Sequence, residues 1–469
     1  DPLLALFALS AFYLYWRYKR TGRQSLIIFA LLLYLAALLT KETAIALPVV
    51  VLYCELFYFT GGVPAGKRIT RAFFLGAVFA VPTLIYLALR WYALNGLVAS
   101  TGTEYPAVPA IKTLPLALAK YLSLSIIPYG YSYQHFTPAV NSIFSVRFLL
   151  PCLVVALVTA AVAISKSRTL VFAAIWFLVW LAPALFAIRR FESESLVQDR
   201  YLYLPTVGAC VAIALGVRWC ARRLRREGAP TTAAIALAAP VFLGIIAISA
   251  FAQAFVRQNA VWRDNLSLYA NCAEMNPDSA HAHEALAGAY YAIGDKSAAQ
   301  RELMTGFDID SNDPRAYLLQ SYFAQTDGSA ERALYYLKRG AETIKPNPYT
   351  RYQLATLYLN LGFLYQRRSQ ADLAEASMQK SLEIWPRPVG WYYLGQFYLD
   401  QGRYEKAVWL FDETLKSTPP RFAPIHLKLA RAYDGLGNSA TAKQEYERYL
   451  QLDPQATDRA EVQKRLSQM

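Results

Sequence analysis

The chain is poor in cysteine, with five in 469 residues, and poorer still in histidine, with four. Cys54, Cys152, Cys210 and Cys220 fall in or beside apolar stretches and Cys272 stands alone, so neither a disulfide framework nor a metal-ligand spacing follows. His281 and His283 resemble a metal pair only on paper, because residues two apart on a helix face away from each other. No metal-ligand set and no firm cofactor is read from the sequence, and a divalent-metal requirement stays open. Acidic residues are scarce up to residue 255, where only Asp1, Glu42, Glu55, Glu104, Glu192, Glu194, Asp199 and Glu227 occur. Almost all of the +14 formal charge thus belongs to the first half. Basic connectors between apolar runs report a membrane and its anionic lipid, and without any nucleic-acid motif no nucleic-acid partner is expected. The sequence opens at Asp1 inside an apolar run already under way, without methionine or signal peptide, which is the expectation for a fragment.

What is present divides at about residue 255. Residues 1–255 read as a polytopic membrane domain lacking its N-terminal part, 256–279 as a connecting helix, and 280–469 as a helical repeat domain. The fold class expected is all-α. Apolar stretches near 3–16, 25–40, 44–59, 72–89, 148–165, 169–188, 201–219 and 231–253 suggest about eight membrane helices. Region 25–59 cannot be one helix, since it would be roughly 50 Å long against a hydrocarbon core of about 30 Å. Its middle carries Lys41 and Glu42, and burying each charge costs about 2.5–3.5 kcal/mol, so a tight hairpin is expected there.

Orientation follows from lysine and arginine. The clusters Arg17–Arg23, Lys67–Arg71, Lys166–Arg168 and Arg218–Arg226 fall on one side of an alternating path, which makes that side cytoplasmic. Lys41-Glu42, loop 90–147, loop 189–200 and the repeats then lie outside, in a periplasm or at a cell exterior. Within the long loop, Ile111–Ile127 mixes Lys112 and Lys120 with leucines and reads as a helix lying in the interface.

The last part repeats with a period of about 34 residues, the length of a tetratricopeptide (TPR) unit. The clearest units carry Leu361-Gly362, Tyr365, Ala374 and Pro386; then Trp391, Leu394-Gly395, Tyr398, Ala407, Phe411 and Pro419; then Leu429-Ala430, Tyr433, Ala442, Tyr446 and Pro454. Looser units surround Leu286 and Tyr290, and Ala333 and Leu337. Such arrays stack into a solenoid whose concave face takes an extended protein or peptide segment. Trp385, Trp391 and Tyr392 read mainly as packing residues, a few of which can grip a peptide.

The most informative run is Gln198-Asp199-Arg200-Tyr201-Leu202-Tyr203-Leu204-Pro205, just ahead of an apolar stretch. An arginine at the N-terminal mouth of a membrane helix adds a forked cation to the positive end of the helix dipole, which suits a phosphate at the membrane surface. A transfer in which a hydroxyl displaces a lipid phosphate needs a base near the attacking hydroxyl and positive charge near the leaving group. Extracytoplasmic carboxylates available as the base are Glu42, Glu104, Glu192, Glu194 and Asp199; cations for the phosphate are Lys41, Arg189, Arg190 and Arg200.

Together, Leu39-Thr40-Lys41-Glu42-Thr43, the run Asp199–Thr206, and Val261-Trp262-Arg263-Asp264 with Leu268 leading into repeats resemble the transmembrane and tetratricopeptide repeat-containing O-mannosyltransferases and their prokaryotic relatives. Asp199 stands where that family usually has Glu, and Thr206 where it has Ser. The resemblance implies a C-type glycosyltransferase that moves a sugar, mannose or another hexose, from a polyprenyl-phosphate donor to Ser or Thr hydroxyls. It also implies that the main catalytic carboxylate lies upstream of Asp1, leaving Glu42 and Asp199 as weak candidates within the chain. Donor phosphate binding is assigned to Arg200, Lys41, Arg189 and Arg190, with Tyr201, Tyr203 and His135 in support.

Plainer readings stand beside these. Lys41 and Glu42 can simply solvate a hairpin, Arg189, Arg190 and Arg200 can anchor helices at the interface, and His135 can be an ordinary interfacial histidine. An O-antigen-ligase-like glycan transferase is an alternative that would need its own histidine and arginines in the long loop, which offers His135, Arg90 and Arg147. A non-enzymatic membrane-anchored TPR scaffold is the other.

Overall fold

The computed structural model describes residues 2–94, 107–127, 130–186, 196–226, 252–254, 256–347, 350–417 and 422–469, with isolated positions between 242 and 249. Glu104, Arg189, Arg190, Glu192, Glu194 and most of the expected helix 231–253 lie outside the described residues. The architecture is all-helical, with no strand among the described residues. Two compact units are distinguished: Asp1–Leu89 with Glu104–Ala289, and Arg90–Thr103 with Tyr290–Met469.

In the first unit, α1 (Pro2–Thr21) and α2 (Gln24–Thr40) pack along alanines, with Ala8, Ala11, Ala30 and Ala37 fully buried. Small side chains let the two backbones approach, as helices must where lipid offers no hydrophobic drive. Lys41 is extended (φ −160°), and a 3₁₀ turn (Glu42–Ala46), α3 (Leu47–Tyr53) and a π turn (Cys54–Tyr58) follow. The chain reverses at Lys41 as expected: Lys19 Nζ lies 2.8 Å from Glu55 Oε2, so residues 42–58 return to the end from which α2 set out.

Next come α4 (Ala65–Leu94), α5 (Ala107–Ile126), α6 (Val146–Ile164), α7 (Arg168–Phe186) and α8 (Pro205–Arg226). Among the described residues three helices are long and apolar enough to cross a membrane, Ala65–Ala93, Val146–Ile164 and Arg168–Phe186, and α2 is a shorter apolar helix. The sequence reading of a spanning helix at 201–219 needs correction, because α8 begins at Pro205 and its last nine residues carry Arg218, Arg222, Arg223, Arg225 and Arg226. Exposed Phe73, Phe74, Leu149 and Leu157 present the apolar face that a bilayer requires. Where α7 meets α8, a Cβ on Gly208 would run into the Ala173 carbonyl oxygen, so only glycine permits this crossing.

Basic connectors gather at one end. Besides the Lys19–Glu55 pair, Arg68 Nη1 donates to Leu56 O at 2.8 Å and Arg168 donates to Thr60 Oγ1. Lys41 lies a full α2 length away, roughly 25 Å for 17 residues.

The second unit is a solenoid of helix hairpins: α12 (Pro314–Thr326) with α13 (Ala330–Thr343), α14 (Arg351–Arg367) with α15 (Ala371–Ile384), α16 (Pro388–Asp400) with α17 (Tyr404–Ser417), and α18 (Ala423–Gly435) with α19 (Ser439–Leu452). They follow α9 (Asn265–Met275), α10 (Ala280–Ala292) and α11 (Lys296–Ile309), and α20 (Arg459–Ser467) ends the chain. Repeat residues expected to pack do so: Leu361, Leu394, Tyr398, Phe411 and Leu429 share one core, and Ala430, Ala442 and Tyr446 lie in the terminal one. Each of these hairpins turns through a left-handed residue, Gly328, Gly402 and Gly437 in three of them and Ser369 (φ 57°) in the fourth.

Candidate functional site

The site is built in the first unit, at the end carrying Lys41. Helix α5 buries Ala110, Thr113, Ala117 and Tyr121 against α7 and the segment 196–202, and residues 130–141 run back beside it. Tyr131 Oη donates to Leu124 O (3.0 Å), the Val140 amide donates to Thr113 Oγ1 (2.9 Å) and Lys112 Nζ donates to Asn141 O (2.9 Å). Both ends of α5 are therefore tied to one extended segment.

Segment 130–141 meets 196–202 through His135. Its amide donates to Val197 O (3.2 Å), its Nε2 lies 2.6 Å from Asp199 Oδ1, and the Ser132 amide donates to Asp199 Oδ2 (2.8 Å). Thr137 Oγ1 accepts from the Leu196 amide (2.8 Å), and Tyr121 Oη accepts from the Gln198 amide (3.2 Å). His135 is 2 % exposed, whereas the Asp199 side chain is 21 % exposed. An acceptor fixed by a buried imidazole and a backbone N–H has a defined orientation and one edge open to solvent.

Asp199–Leu202 forms a 3₁₀ turn, so Arg200 does precede the helix, as the sequence suggests, but it lies in that turn, five positions ahead of the α8 start at Pro205 and not directly at the helix mouth. Pro205 sets the start of α8 and cannot continue a helix ladder backward, and Trp176 Nε1 pins Leu204 O at 2.8 Å. The turn brings Arg200 to Lys41. Both cations lie over the Tyr201 ring, Lys41 Nζ at 5.0 Å and the Arg200 guanidinium carbon at 5.3 Å from its centre. Burial, and then the Arg200 charge, hold the Lys41 ammonium below the usual lysine range, with Glu42 acting in the opposite sense. Two cations thus meet at one ring, and both burial and the Arg200 charge disfavour the charged form of Lys41.

Of the residues selected from sequence, Lys41, Glu42, Asp199, Arg200, Tyr201 and His135 therefore lie together or one contact apart. Tyr203 is exposed, and among the described contacts its ring joins neither cation. Arg189 and Arg190 lie outside the described residues. His281 and His283 diverge as expected, with His283 Nε2 on Pro277 O at 3.1 Å and His281 Nδ1 3.9 Å from Glu284.

Several contributors were missed. Asn276, just past α9, accepts from the Phe136 amide (2.6 Å) and donates to Gln134 O (3.0 Å), clamping the segment that holds His135. Tyr133 packs edge-on against Trp262 and Tyr269, which gives the tryptophan of the Val261–Asp264 run a role. At the opposite end, Glu55 is 2 % exposed and accepts from Tyr15 Oη at 2.7 Å as well as from Lys19. A single carboxylate in an apolar run was the only signal for that triad, and Asn276 had none.

Comparison with known proteins places TPR repeats in the chain, the tetratricopeptide repeat models matching residues 263–321 and 423–456. No curated protein matches it. Among solved structures it is similar to MamA, with 18 % identity over 39 % of this chain and 96 % of that one at a TM-score of 0.32. Another is YrrB, titled a TPR protein with an unusual peptide-binding site, with 15 % identity over 42 % of this chain and 97 % of that one at 0.33. A third is PilF of Pseudomonas aeruginosa, with 20 % identity over 48 % of this chain and 93 % of that one at 0.35. These matches concern the repeats.

Proposed function

We propose that the membrane half binds a lipid-linked sugar phosphate on its extracytoplasmic side and that the protein transfers the sugar to Ser or Thr hydroxyls of a polypeptide held by the repeats. The observation that carries this reading is the convergence of Lys41 and Arg200 on Tyr201. A guanidinium fork and an ammonium side by side suit a leaving phosphate, because each makes a charge-assisted bond that strengthens as negative charge develops. Among the described carboxylates, Asp199, held by His135 and Ser132, is the one best placed to orient a hydroxyl or accept its proton. The donor is a polyprenyl-phosphate sugar on this reading, which takes its sugar and its carrier from the O-mannosyltransferase resemblance.

Clustering of Lys19, Arg68 and Arg168 at the other end supports assigning that end to the cytoplasm and the site, with the repeats, to the exterior. The test is transfer by the intact enzyme from a defined polyprenyl-phosphate sugar to a full-length protein and to a short peptide, with and without residues from Ala280 onward. Selective loss of the protein acceptor supports a repeat domain that positions substrate. No transfer to any acceptor, with correct insertion verified, refutes the enzyme. A second reading, a membrane-anchored scaffold, is favoured by the repeats as protein-binding modules, and it predicts partner binding that survives loss of Lys41 and Arg200.

A further inference from the structure

Beneath α5 lies a groove of about 890 Å³, separate from the cluster at Tyr201. Leu114 and Leu118 of α5 roof it, Cys152 and Ala156 of α6 form one wall, and Ala182 and Leu185 of α7 form the other. Of α6 only Pro151 is buried, and exposed Leu149, Leu153 and Leu157 give it an apolar outer face, so on the membrane reading the open side of the groove meets lipid. Water cannot fill such an apolar space at low cost; a hydrocarbon chain can.

The mouth is positively charged. Lys112 lines it with its ammonium fixed on Asn141 O, and Arg147 precedes the lining residue Phe148 in the first turn of α6, where the helix dipole is also positive. Neither α5 nor α6 contains an acidic residue. Tyr121, the α5 residue bonded to the Asp199 segment, lies nine positions from Lys112, roughly 13 Å along the helix. The groove's head end and the lipid-phosphate cluster are thus different places on α5.

We infer that this groove is a binding site for an anionic glycerophospholipid of the surrounding bilayer, one acyl chain lying between α6 and α7 under α5 and the phosphate beside Lys112 and Arg147. Such a lipid braces the roof helix and, through the Tyr131, Thr113 and Lys112 bonds, the segment that carries His135.

The test uses the full chain in vesicles of phosphatidylcholine containing a trace of photoactivatable phosphatidylglycerol or phosphatidylcholine, with the crosslinked peptides mapped. Expected are crosslinks on α6 around Cys152 and on α7, favouring phosphatidylglycerol on the order of 10-fold, since each basic side chain near the surface attracts an anionic headgroup. Ala156→Trp, on the exposed helix, should abolish these crosslinks. Lys112→Gln with Arg147→Gln keeps the apolar walls and should remove the headgroup preference while crosslinking of α6 and α7 persists. Equal labelling by both lipids, or labelling unchanged by Ala156→Trp, overturns the proposal. So does stoichiometric displacement of phosphatidylglycerol by a polyprenyl phosphate, which would make the groove the donor's own tail site.

Discussion

Replacing Asp199 by alanine removes the acceptor for two donors at once, the Ser132 amide and His135 Nε2. A buried donor left without a partner costs about 1–3 kcal/mol, so the pair gives about 2–6 kcal/mol, and the lower part of that range applies because water reaches the partly exposed carboxylate. About 2 kcal/mol is roughly a 30-fold rise in the local opening constant. Hydrogen exchange on the protein in detergent or vesicles reads this directly, since the amides of His135, Phe136, Val140 and Leu196 are all bonded in the closed arrangement. Exchange in 131–140 and 196–202 should quicken about 30-fold, with Asp199→Asn intermediate because its amide oxygen still accepts from one donor. The repeats α14 to α19 should not change. Wild-type protection of His135 and Leu196 in Asp199→Ala would refute the claim that the carboxylate holds the two segments together.

Gly208→Ala should destabilise the membrane half by about 1–3 kcal/mol through overpacking against Ala173, seen as a lower midpoint in detergent unfolding; an unchanged midpoint would mean α7 and α8 are not in close contact. Ser369→Gly should stabilise the solenoid by up to about 1 kcal/mol, because a non-glycine residue pays for the left-handed turn that its counterparts Gly402 and Gly437 adopt freely. Glu375 accepts from Arg403 and Tyr398, and the Arg403 bond leads in holding its carboxyl below the ordinary value. Its contribution is therefore fully present above the unfolded carboxylate pKa of about 4.3 and lost as pH falls through the lower folded value, so Glu375→Gln should flatten the acid limb of the solenoid's melting profile.

Much of this architecture is legible from the sequence because its signals are local. Gly395 sits against Phe411, and the repeat spacing announces that contact; the charge pair Lys41-Glu42 marks a reversal because lipid does not tolerate it mid-span. Convergence of Lys41 on Arg200 was readable only as two cations on one side, since nothing in either segment states that Tyr201 lies between them. The His135–Asp199 pair, 64 positions apart, depends on how α5 lies beside 130–141, which periodicity does not encode. Glu55 looked like an isolated acid because its partners Tyr15 and Lys19 are on another helix. The start of α8 was misplaced because apolar character begins before Pro205, while the 3₁₀ turn that ends at Leu202 is set by tertiary bonds at Gln198 and Leu204.

The central claim is that Lys41 and Arg200 hold a lipid phosphate, and it is tested most directly by equilibrium binding of a polyprenyl phosphate to the intact, membrane-inserted protein. Losing one charge-assisted bond removes about 1.5–3 kcal/mol, so Arg200→Ala should weaken binding roughly 10- to 150-fold, with Arg200→Lys between because it keeps charge without the fork. Lys41→Ala should weaken it comparably, and the two losses should be coupled because the cations share one anion. Wild-type affinity in Arg200→Ala, with exchange protection at His135 intact, would contradict the account and leave the arginine as an interfacial anchor.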